Sequence, residues 1–303
     1  MSGDQQPTPE RPEQPQQLPE QQPHQRRSAA RTVVVWEALR ELLGPTRDAA
    51  GASADRSADR SADLRADPRP PADSWAPAEV VDIGGGTGGF AVRVAELGHR
   101  VAVVDPSPDA LATLARRAEE SGVADRVTAY QGDLGTLADL VPAGSIDVVL
   151  CHGVLEIVAD PAVALATIAG VLRPGGSLSL LVNQRHAAVF ARAMAGHFSQ
   201  AQALLETTPD SRHADPGGRH ADPEGRSDQR RFTSEEVTAV LDGAGFDTVA
   251  LHAVRVFVDL VPSSLAHLEL GATDRLIELE RAVASRPEYL PLGTQVHALA
   301  RRR

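Results

Sequence analysis

The chain has 303 residues, enough for one large α/β domain or two small ones. A hydrophobic content of 42% allows a packed core, and with only 3% aromatic residues that core must be built from Ala, Val and Leu. All 30 basic residues are arginine, which excludes a lysine Schiff base and a P-loop lysine. The formal net charge of −11 argues against a general nucleic-acid binder, although a local basic patch can oppose the total.

Cys151 is the single cysteine, so an internal disulfide and a cysteine-based zinc site are excluded. The sequence opens without a charged and then apolar leader, and it contains no uninterrupted apolar run of about 18 residues. We therefore expect a soluble cytoplasmic protein that does not bind membranes, and no residue pattern predicts a metal site.

Composition divides the chain into ordered and low-complexity parts. The first 25 residues contain 6 Pro and 8 Gln and almost nothing to bury, which is typical of a disordered tail. Apolar residues at helical spacing then predict a short amphipathic helix that ends at Gly44-Pro45. The predicted units are a disordered tail at 1–30, a helix at 31–45, a low-complexity linker at 46–78, and an ordered domain at 79–303 with a disordered insert near 207–229.

Strands and helices alternate through the ordered domain. Apolar runs predict strands at 80–83, 101–105, 126–131, 146–151 and 177–182, with helices ending near 97 and at about 109–121 and 162–172. Beyond residue 182 the pattern predicts helices at 187–205, 234–243 and 264–284 and strands at 246–258 and 294–300. The predicted fold is α/β: a doubly wound, mainly parallel seven-stranded sheet with an antiparallel C-terminal strand.

The stretch Val80-Val-Asp-Ile-Gly-Gly-Gly-Thr-Gly88 is the most informative motif. Glycines after a buried strand let the backbone turn tightly and let a ligand approach the main chain. Two patterns fit this spacing. Gly84, Gly86 and Gly89 match the dinucleotide pattern, whereas Asp82 with Gly84, Gly86 and Gly88 matches the pattern of S-adenosylmethionine (SAM) binders.

Two carboxylates help to separate these alternatives. Asp105 ends the second strand, where a carboxylate can accept hydrogen bonds from both ribose hydroxyls of either NAD or SAM. Asp82 precedes the glycines inside a strand, where it would repel a pyrophosphate but suits the ammonium group of a methionine moiety. The alternative for Asp82 is a carboxylate that caps local backbone amides.

Three further motifs follow the glycine cluster. They are Gly132-Asp-Leu134, the run Ile146-Asp-Val-Val-Leu-Cys-His-Gly-Val-Leu-Glu156, and Leu172-Arg-Pro-Gly-Gly176. With the glycine cluster, this combination resembles a class I SAM-dependent methyltransferase. The resemblance covers Arg31 to about Val182, and it implies a Rossmann-like fold with SAM as the cofactor.

Further segments resemble the bacterial tRNA 5-carboxymethoxyuridine methyltransferase family. They are His152-Gly-Val-Leu-Glu-Ile-Val-Ala-Asp-Pro161, Ala253-Val-Arg-Val-Phe257, Glu278-Leu-Glu280 and Pro287-Glu-Tyr-Leu-Pro-Leu-Gly293. That family methylates a carboxylate on the wobble uridine to a methyl ester, which implies tRNA as the partner. The similarity extends into the C-terminal segment, where substrate specificity is usually set.

The resemblance also implies which residues contact the cofactor. In the family, an arginine on the N-terminal helix, five residues before a tryptophan, binds SAM, and Arg31 and Trp36 match this spacing. The helix at 31–45 would then cover the cofactor site, and 79–303 would be the methyltransferase domain. The other family contacts fall on Gly84, Gly85, Asp105, Asp133, Leu134 and His152, and the glycine pattern adds Asp82, Gly86 and Gly88.

The sequence departs from the family in its inserts and its charge. The resemblance does not include the tail or the segments 46–78 and 207–229, and the family's lysine-rich stretch is replaced by an insert without lysine. Residues 206–231 carry five arginines against six acids, a balance that argues against RNA binding through this segment. The acidity lies mainly in residues 79–172, with a net charge of −8, whereas 173–303 carry −1.

The chemistry of the acceptor decides whether a base is needed. A carboxylate is ionised at neutral pH, so its methylation requires no general base. An amine or hydroxyl acceptor would more often need one, for which His152, His186 or Glu156 are candidates. His152 has three interpretations: a SAM contact, a base, or a histidine that fills the end of a strand.

Arg255 lies in an apolar run, so it needs an anionic partner if it is buried. We predict that it holds the substrate carboxylate; the alternative is a structural ion pair with Glu278 or Glu280. Tyr289 and Phe257 could stack on a base but are at least as consistent with core positions.

The leading hypothesis is a SAM-dependent methyltransferase that acts on a carboxylate, with wobble-modified tRNA as the suggested substrate. A methyltransferase of a small metabolite of secondary metabolism, such as a small-molecule carboxylate, is favoured by the acidic charge and the missing lysines. A nicotinamide-dependent oxidoreductase is disfavoured by Asp82 and by the absence of a tyrosine–lysine pair. A non-catalytic SAM-binding regulator also fits the sequence.

Overall fold

A computed structural model describes residues 23–44, 76–206, 229–261 and 271–303. The tail before residue 23, nearly all of the predicted linker and the insert at 207–228 lie outside the described residues. The strands are β1 (Glu79–Ile83), β2 (Arg100–Asp105), β3 (Val127–Gln131), β4 (Ile146–His152), β5 (Leu172–Asn183), β6 (Phe246–Val254) and β7 (Gln295–Arg302). The α-helices in the described residues are α1 (Pro23–Leu43), α2 (Ala91–Glu96), α3 (Pro108–Glu120), α4 (Leu137–Leu140), α5 (Pro161–Val171), α6 (Arg185–Met194), α7 (Phe198–Leu205), α8 (Ser234–Gly243) and α9 (Ala272–Ala284).

The seven strands form one sheet in the order β3-β2-β1-β4-β5-β7-β6. The first five strands are parallel to one another, and β7 runs antiparallel to both β5 and β6. The predicted fold class is therefore confirmed, including the antiparallel C-terminal strand. The strand order reverses beside β1, and in open α/β sheets ligands bind at the carboxyl ends of the strands at such a point.

Two faces of the sheet bury separate cores. On one face, Val81, Val149 and Leu178 pack with helices that include α5 and α8. On the other face, α1 places Val35 and Leu39, which are both fully buried, against apolar side chains of β1, β4 and β5. Helix α1 therefore lies over the sheet and brings its earlier residues to the ends of β1 and β4. Among the described helices, none has both the length and the apolar content needed to cross a membrane.

The structure corrects several predicted boundaries. Helix α1 begins at Pro23, so the predicted disorder of residues 23–30 is wrong; these residues carry no apolar periodicity, but Ala30 is fully buried. The helix predicted at 187–205 is two helices, because Gly196 has a φ of +78° between them. Strand β5 begins at Leu172, which pairs with Ile146, rather than at residue 177.

The C-terminal region shows two further differences. The strand predicted at 246–258 ends at Val254, because Arg255 adopts a left-handed φ of +63° that a strand cannot contain. The helix predicted at 264–284 begins at Ala272, after the residues at 262–270 that the structure leaves undescribed. The other predicted strands and helices agree to within a few residues.

Candidate functional site

A cavity of about 290 Å³ lies at the carboxyl ends of β1 and β4, beneath α1. It is bordered by side chains and backbone from four separate parts of the chain, which are brought together by the parallel sheet. The lining residues are Arg31, Thr32, Asp82, Gly84, Gly85, Gly89, Phe90 and His152. Five of the predicted cofactor residues therefore meet in one place.

The glycine turn after β1 has a shape that other residues could not adopt. Gly84, Gly86 and Gly88 all have positive φ angles, of +67°, +54° and +78°. A β-carbon at position 84 would lie 2.7 Å from the side chain of Val154, and one at position 85 would lie 2.5 Å from the Asp82 carboxylate. The turn therefore leaves bare backbone beside the cavity, where a ligand can approach it closely.

Asp82 is buried at the floor of this turn, with 3% of its surface exposed. Burial raises the pKa of its carboxyl, the charge of Arg31 opposes this and the nearby Asp105 adds to it, which together bring the pKa to about 7. No described backbone amide donates to this carboxylate, which argues against the capping alternative. A buried carboxylate of this kind is suited to bind a cationic ligand group.

Asp105 ties the end of β2 to the glycine turn. Its Oδ2 accepts a hydrogen bond of 2.9 Å from the Gly86 amide, and its Oδ1 accepts one of 2.9 Å from the Ser107 amide. Each carboxylate oxygen has a further lone pair, so the pair of oxygens can still accept ribose hydroxyls. Gly86 thus connects two predicted cofactor residues through its backbone.

Asp133 and Leu134 do not line the described cavity. Asp133 is exposed, and its Oδ1 accepts the amides of Gly135 at 2.9 Å and Thr136 at 3.1 Å, which closes the turn after β3. Leu134 is buried in the core on the other face of the sheet. The structure therefore places both at the predicted strand end, but outside the cavity, and their contact with the cofactor stays a prediction.

Arg31 reaches the cavity from α1. Its Nε is buried and has no hydrogen-bond partner among the described residues, and its guanidinium lies 6.0 Å from the centre of the Phe90 ring. Burial lowers the pKa of Arg31, and the neighbouring charge of Arg255 lowers it further, against the opposite effects of Asp82 and Glu156. Two arginines and two carboxylates therefore lie within electrostatic reach of one another.

Arg255 lies at the end of β6, and it forms an ion pair with a residue that the sequence did not indicate. Its Nη2 is 2.6 Å from Oδ2 of Asp259, so the alternative of an ion pair with Glu278 or Glu280 is wrong. The Nε of Arg255 is buried without a partner in the described part of the chain. Glu280, which has no exposed surface, instead accepts 2.8 Å hydrogen bonds from the amides of Val256, Phe257 and Val258.

Phe257 and Tyr289 contact each other rather than the cavity. Their ring centres are 6.1 Å apart in an edge-on arrangement, and both pack against buried Ala253, Val256 and Val283. This packing accords with the core interpretation of the two aromatic residues.

His152 ends β4 and lines the cavity. Its Nε2 lies 2.9 Å from the hydroxyl of Ser179, its ring stands edge-on to Phe90 at 5.1 Å, and its Nδ1 is buried without a partner among the described residues. Burial, with the charge of Arg31, lowers the pKa of His152 to about 3. The imidazole is therefore neutral at physiological pH.

The other two candidate bases lie elsewhere. Glu156 is buried, and its Oε1 accepts the amide of Asn183 at 2.8 Å, which links the loop after β4 to the end of β5. Burial raises the pKa of Glu156. His186 is exposed on α6, and neither residue lines the cavity.

The cavity and the adjoining end of β2 have the groups that SAM requires. Asp82 can hold the ammonium of a methionine moiety, Arg31 has a buried N–H ready for its carboxylate, and Asp105 can accept ribose hydroxyls. Sequence reasoning missed Thr32 and Phe90 in the lining, although an aromatic residue directly after a glycine turn is a usable signal. It also missed Ser179 and the role of Glu280, for which the sequence carries no local signal.

Comparison with known proteins agrees with this arrangement. A family described as "Methyltransferase domain" matches residues 81–180. The tRNA 5-carboxymethoxyuridine methyltransferase of Escherichia coli (strain K12) is 32% identical over 228 residues, which cover 74% of this chain and 79% of that protein. A ubiquinone biosynthesis O-methyltransferase of Xanthomonas euvesicatoria pv. vesicatoria (strain 85-10) is 34% identical over 138 residues, which cover 46% of this chain and 55% of that protein.

Among solved structures, an S-adenosylmethionine dependent methyltransferase from Mesorhizobium loti has a similar fold. The two share 20% sequence identity and a TM-score of 0.50, and the match covers 75% of this chain and 91% of that one. At this identity the likeness concerns the fold alone.

Proposed function

The chain belongs to the class I SAM-dependent methyltransferases, in the family of tRNA 5-carboxymethoxyuridine methyltransferase, and we propose that it methylates a carboxylate. SAM is its cofactor. The suggested substrate is 5-carboxymethoxyuridine in the wobble position of tRNA, and the product is its methyl ester. Family membership removes the nicotinamide-dependent oxidoreductase from the alternatives.

The observation that carries the carboxylate proposal is the proximity of two arginines: Arg31 lines the cavity, and Arg255, outside that lining, lies within electrostatic reach of it. Arg31 and Arg255 come from opposite ends of the described chain, each has a buried Nε–H without a partner there, and the charge of Arg255 lowers the pKa of Arg31. One arginine suffices for the carboxylate of SAM itself. The second, Arg255, is paired with Asp259 through its Nη2 but keeps its Nε–H as a donor for another carboxylate, which is the group that this reaction would methylate.

In the proposed site the protein mainly binds and orients the reactants. When bound, SAM supplies an electrophilic methyl group on its sulfonium. Asp82 and Arg31 hold the methionine moiety, Asp105 holds the ribose, and the bare glycine turn, with Gly84, Gly85, Gly86 and Gly88, lies alongside the nucleoside. Asp133 and Leu134 are proposed to contact the adenine, and His152 to contact SAM.

The second substrate needs orientation rather than activation. A carboxylate is already ionised at neutral pH and can attack the methyl group without a general base. The neutral state of His152 and the distance of Glu156 and His186 from the cavity lining are consistent with this. Arg255 is then the substrate-positioning residue.

Similarity to the Escherichia coli tRNA enzyme supports tRNA as the partner, because it extends well beyond the segment 81–180. A tRNA substrate would place the protein in the cytoplasm. The second candidate is a methyltransferase of a small molecule. It is favoured by the net charge of −11 and by the similarity of nearly half the chain to a ubiquinone biosynthesis O-methyltransferase.

The substrate can be tested with the purified full-length chain and isotopically labelled SAM. We expect label in the wobble nucleoside of tRNA that carries 5-carboxymethoxyuridine, and none in tRNA without that modification, when nucleosides are analysed by mass spectrometry. Labelling of a small hydroxylated or carboxylated acceptor, with no labelling of the modified tRNA, would contradict the tRNA proposal and favour the second candidate.

The role of Arg255 has its own test. Replacing it by glutamine removes a charged donor, so we expect KM for the modified tRNA to rise roughly ten- to a hundredfold while SAM affinity changes little. Arg116→Gln on α3 is the matched control, because that arginine is exposed and lies in an i,i+4 pair with Glu120. Unchanged KM and kcat in Arg255→Gln would end this assignment.

A further inference from the structure

A continuous row of hydrogen-bonding side chains runs from the cavity across four strands. Ser179 on β5 lies 2.9 Å from Nε2 of His152 and 2.8 Å from Nε2 of His297 on β7. The Nδ1 of His297 lies 3.2 Å from Nδ1 of His252 on β6. Ser179 and His297 have no exposed surface, whereas His252 is half-buried at the far end.

The strand register explains why these side chains meet. His152 is paired with Leu181, Leu181 with His297, and His297 with His252, so all of them share one face of the sheet. Ser179 lies two residues before Leu181 and therefore points to the same face. That face is covered by α1, so water is largely kept from the row.

If its three histidines are neutral and the Ser179 hydroxyl donates to one of its two histidine neighbours, the row can be bonded in only two ways. Burial lowers the pKa of His152, His252 and His297, which supports the neutral state of each. The contact between two Nδ1 atoms then requires a proton on one of them and a lone pair on the other. That choice fixes the direction of the serine hydroxyl, and hence the protonated nitrogen of His152.

Charges at the two ends select one of these two arrangements. Arg31 lies near His152, where a positive charge favours a lone pair on the free nitrogen, Nδ1. Glu41, on the same helix, acts on His252, where a negative charge favours an outward N–H. Both charges therefore favour a row in which each donor is directed from His152 towards His252.

We propose that Ser179, His297 and His252 are positioning residues that hold His152 with its proton on Nε2 and a lone pair on Nδ1. That lone pair accepts a hydrogen bond from an N–H or O–H donor of bound SAM. The inference rests on the proposed contact of His152 with SAM. It adds that the direction of this hydrogen bond is set by residues on β5, β7 and the edge strand β6, which do not line the cavity.

The tautomers can be measured without any ligand. In the full-length chain with ¹⁵N-labelled histidine, two-bond proton–nitrogen spectra identify the protonated nitrogen of each ring, and single-histidine variants assign the signals. We expect His152 to carry its proton on Nε2 and His297 on Nδ1. A proton on Nδ1 of His152, or a doubly protonated ring at neutral pH, would overturn the proposal.

Binding of SAM by calorimetry tests the positioning role. Ser179→Ala leaves His152 free to change tautomer, so we expect about three- to tenfold weaker SAM binding, with a second population of His152 tautomer in the spectrum. Ser177→Ala is the matched control, since Ser177 lies on the same strand and outside the row. It should bind SAM as the unmodified chain does.

Two further variants distinguish a failure of the positioning inference from a folding defect and from a failure of the proposed SAM contact. His252→Phe retains a ring beside His297 and changes only the half-buried end of the row. If Ser179→Ala does not fold, a changed His152 tautomer in His252→Phe would support the positioning inference in its place. If His152→Ala leaves SAM affinity unchanged, the proposed SAM contact is wrong. If His152→Ala weakens binding but folded Ser179→Ala does not, only the positioning inference fails.

The donor on the ligand can be identified with 5′-methylthioadenosine, which retains the ribose but lacks the amino-acid part of SAM. Equal weakening of both ligands by Ser179→Ala would assign a donor of the nucleoside, which is a ribose hydroxyl or the adenine amino group. Weakening of SAM binding alone would assign the ammonium group.

Discussion

The buried carboxylate of Glu280 accepts the three backbone amides that directly follow Arg255. Arg255 itself has a φ of +63°, which is unfavourable for a residue with a β-carbon. Three hydrogen bonds to one charged group offset that strain and fix where the arginine lies. Helix α9 therefore fixes the backbone beside Arg255, the residue that we propose positions the substrate.

We predict that Glu280→Gln destabilises the protein by about 2 to 4 kcal/mol, because the amide has one oxygen for three buried N–H groups. The NH₂ group of the glutamine would also face one of these backbone N–H donors. Chemical unfolding would measure the loss. Glu278→Gln is the control, because Glu278 lies two residues earlier on α9, is exposed and makes none of these bonds. Equal stability of the two variants would contradict this explanation.

Gly88 is predicted to be the least replaceable glycine of the turn. Its φ is +78°, and a β-carbon there would lie 2.2 Å from Cδ1 of Leu114, a fully buried side chain. Gly88→Ala should cost about 2 to 4 kcal/mol of unfolding free energy from backbone strain and overpacking together. Gly122→Ala has a similar φ of +69° but no atom within 4 Å, so it isolates the strain.

Gly122→Ala should therefore cost only about 1 kcal/mol. Thermal or denaturant unfolding of both variants distinguishes the two contributions. Equal losses would show that the contact with Leu114 is relieved by a shift of that side chain.

Asp82 should make stability fall with rising pH. Its folded pKa of about 7 lies above the ordinary value of 3.8, so the folded state holds a proton in this range that the unfolded chain has released. The associated stability is complete below about pH 4 and is lost as the pH rises through 7. The difference amounts to at most about 4 kcal/mol.

Asp82→Asn cannot ionise, so its unfolding free energy should fall less between pH 5 and pH 8 than that of the unmodified chain. In the unmodified chain we expect SAM affinity to rise with pH as Asp82 ionises; in Asp82→Asn that rise should be absent and the SAM affinity at pH 8 should be lower. Parallel pH profiles of the two proteins, in stability and in SAM binding, would show that this carboxyl does not titrate in the range.

The imidazole of His99 hydrogen-bonds to a residue on each side of the segment 45–75, Gly44 before it and Ala78 after it. The amide of Ala78 donates to Nδ1 of His99 at 3.1 Å, so Nε2 carries the proton and donates to the carbonyl of Gly44 at 2.9 Å. The two chain ends are therefore close together, and a linker of about six flexible residues can replace 46–75. We expect unchanged SAM affinity.

Loop-closure entropy predicts that the shortened chain gains roughly 1 kcal/mol of stability. His99→Phe in the same shortened chain should remove both hydrogen bonds and lower the stability and, through α1 and Arg31, the SAM affinity. Loss of SAM binding on shortening alone would show that the replaced segment takes part in the site.

Local patterns in the sequence were sufficient for most of the sheet. Buried strands such as β1 and β4 are short apolar runs in the sequence and were predicted from them. The positions of Asp82 and Asp105 near strand ends follow from those predicted strands. The parallel connection then places both strand ends at one edge. This is why the cavity could be predicted together with most of its lining residues.

Boundaries were less accurate where the backbone, rather than side-chain periodicity, ends an element. The left-handed conformations of Gly196 and Arg255 interrupt patterns that continue in the sequence. A glycine in the sequence indicates such a break. Arg255 gives no such indication, because its positive φ is stabilised by Glu280 on α9, which is distant in the sequence.

The sequence by itself determined the class of fold, the glycine turn, the carboxylates beside it and the resemblance to a methyltransferase family, since each depends on residues close together along the chain. Only the tertiary structure decided which distant residues are partners: Arg255 with Asp259, Glu280 with three amides, and His152 with Ser179 and His297. These contacts join strands and helices through the register of the sheet and the placement of α9. A register set by packing across the whole domain leaves no pattern in any one segment.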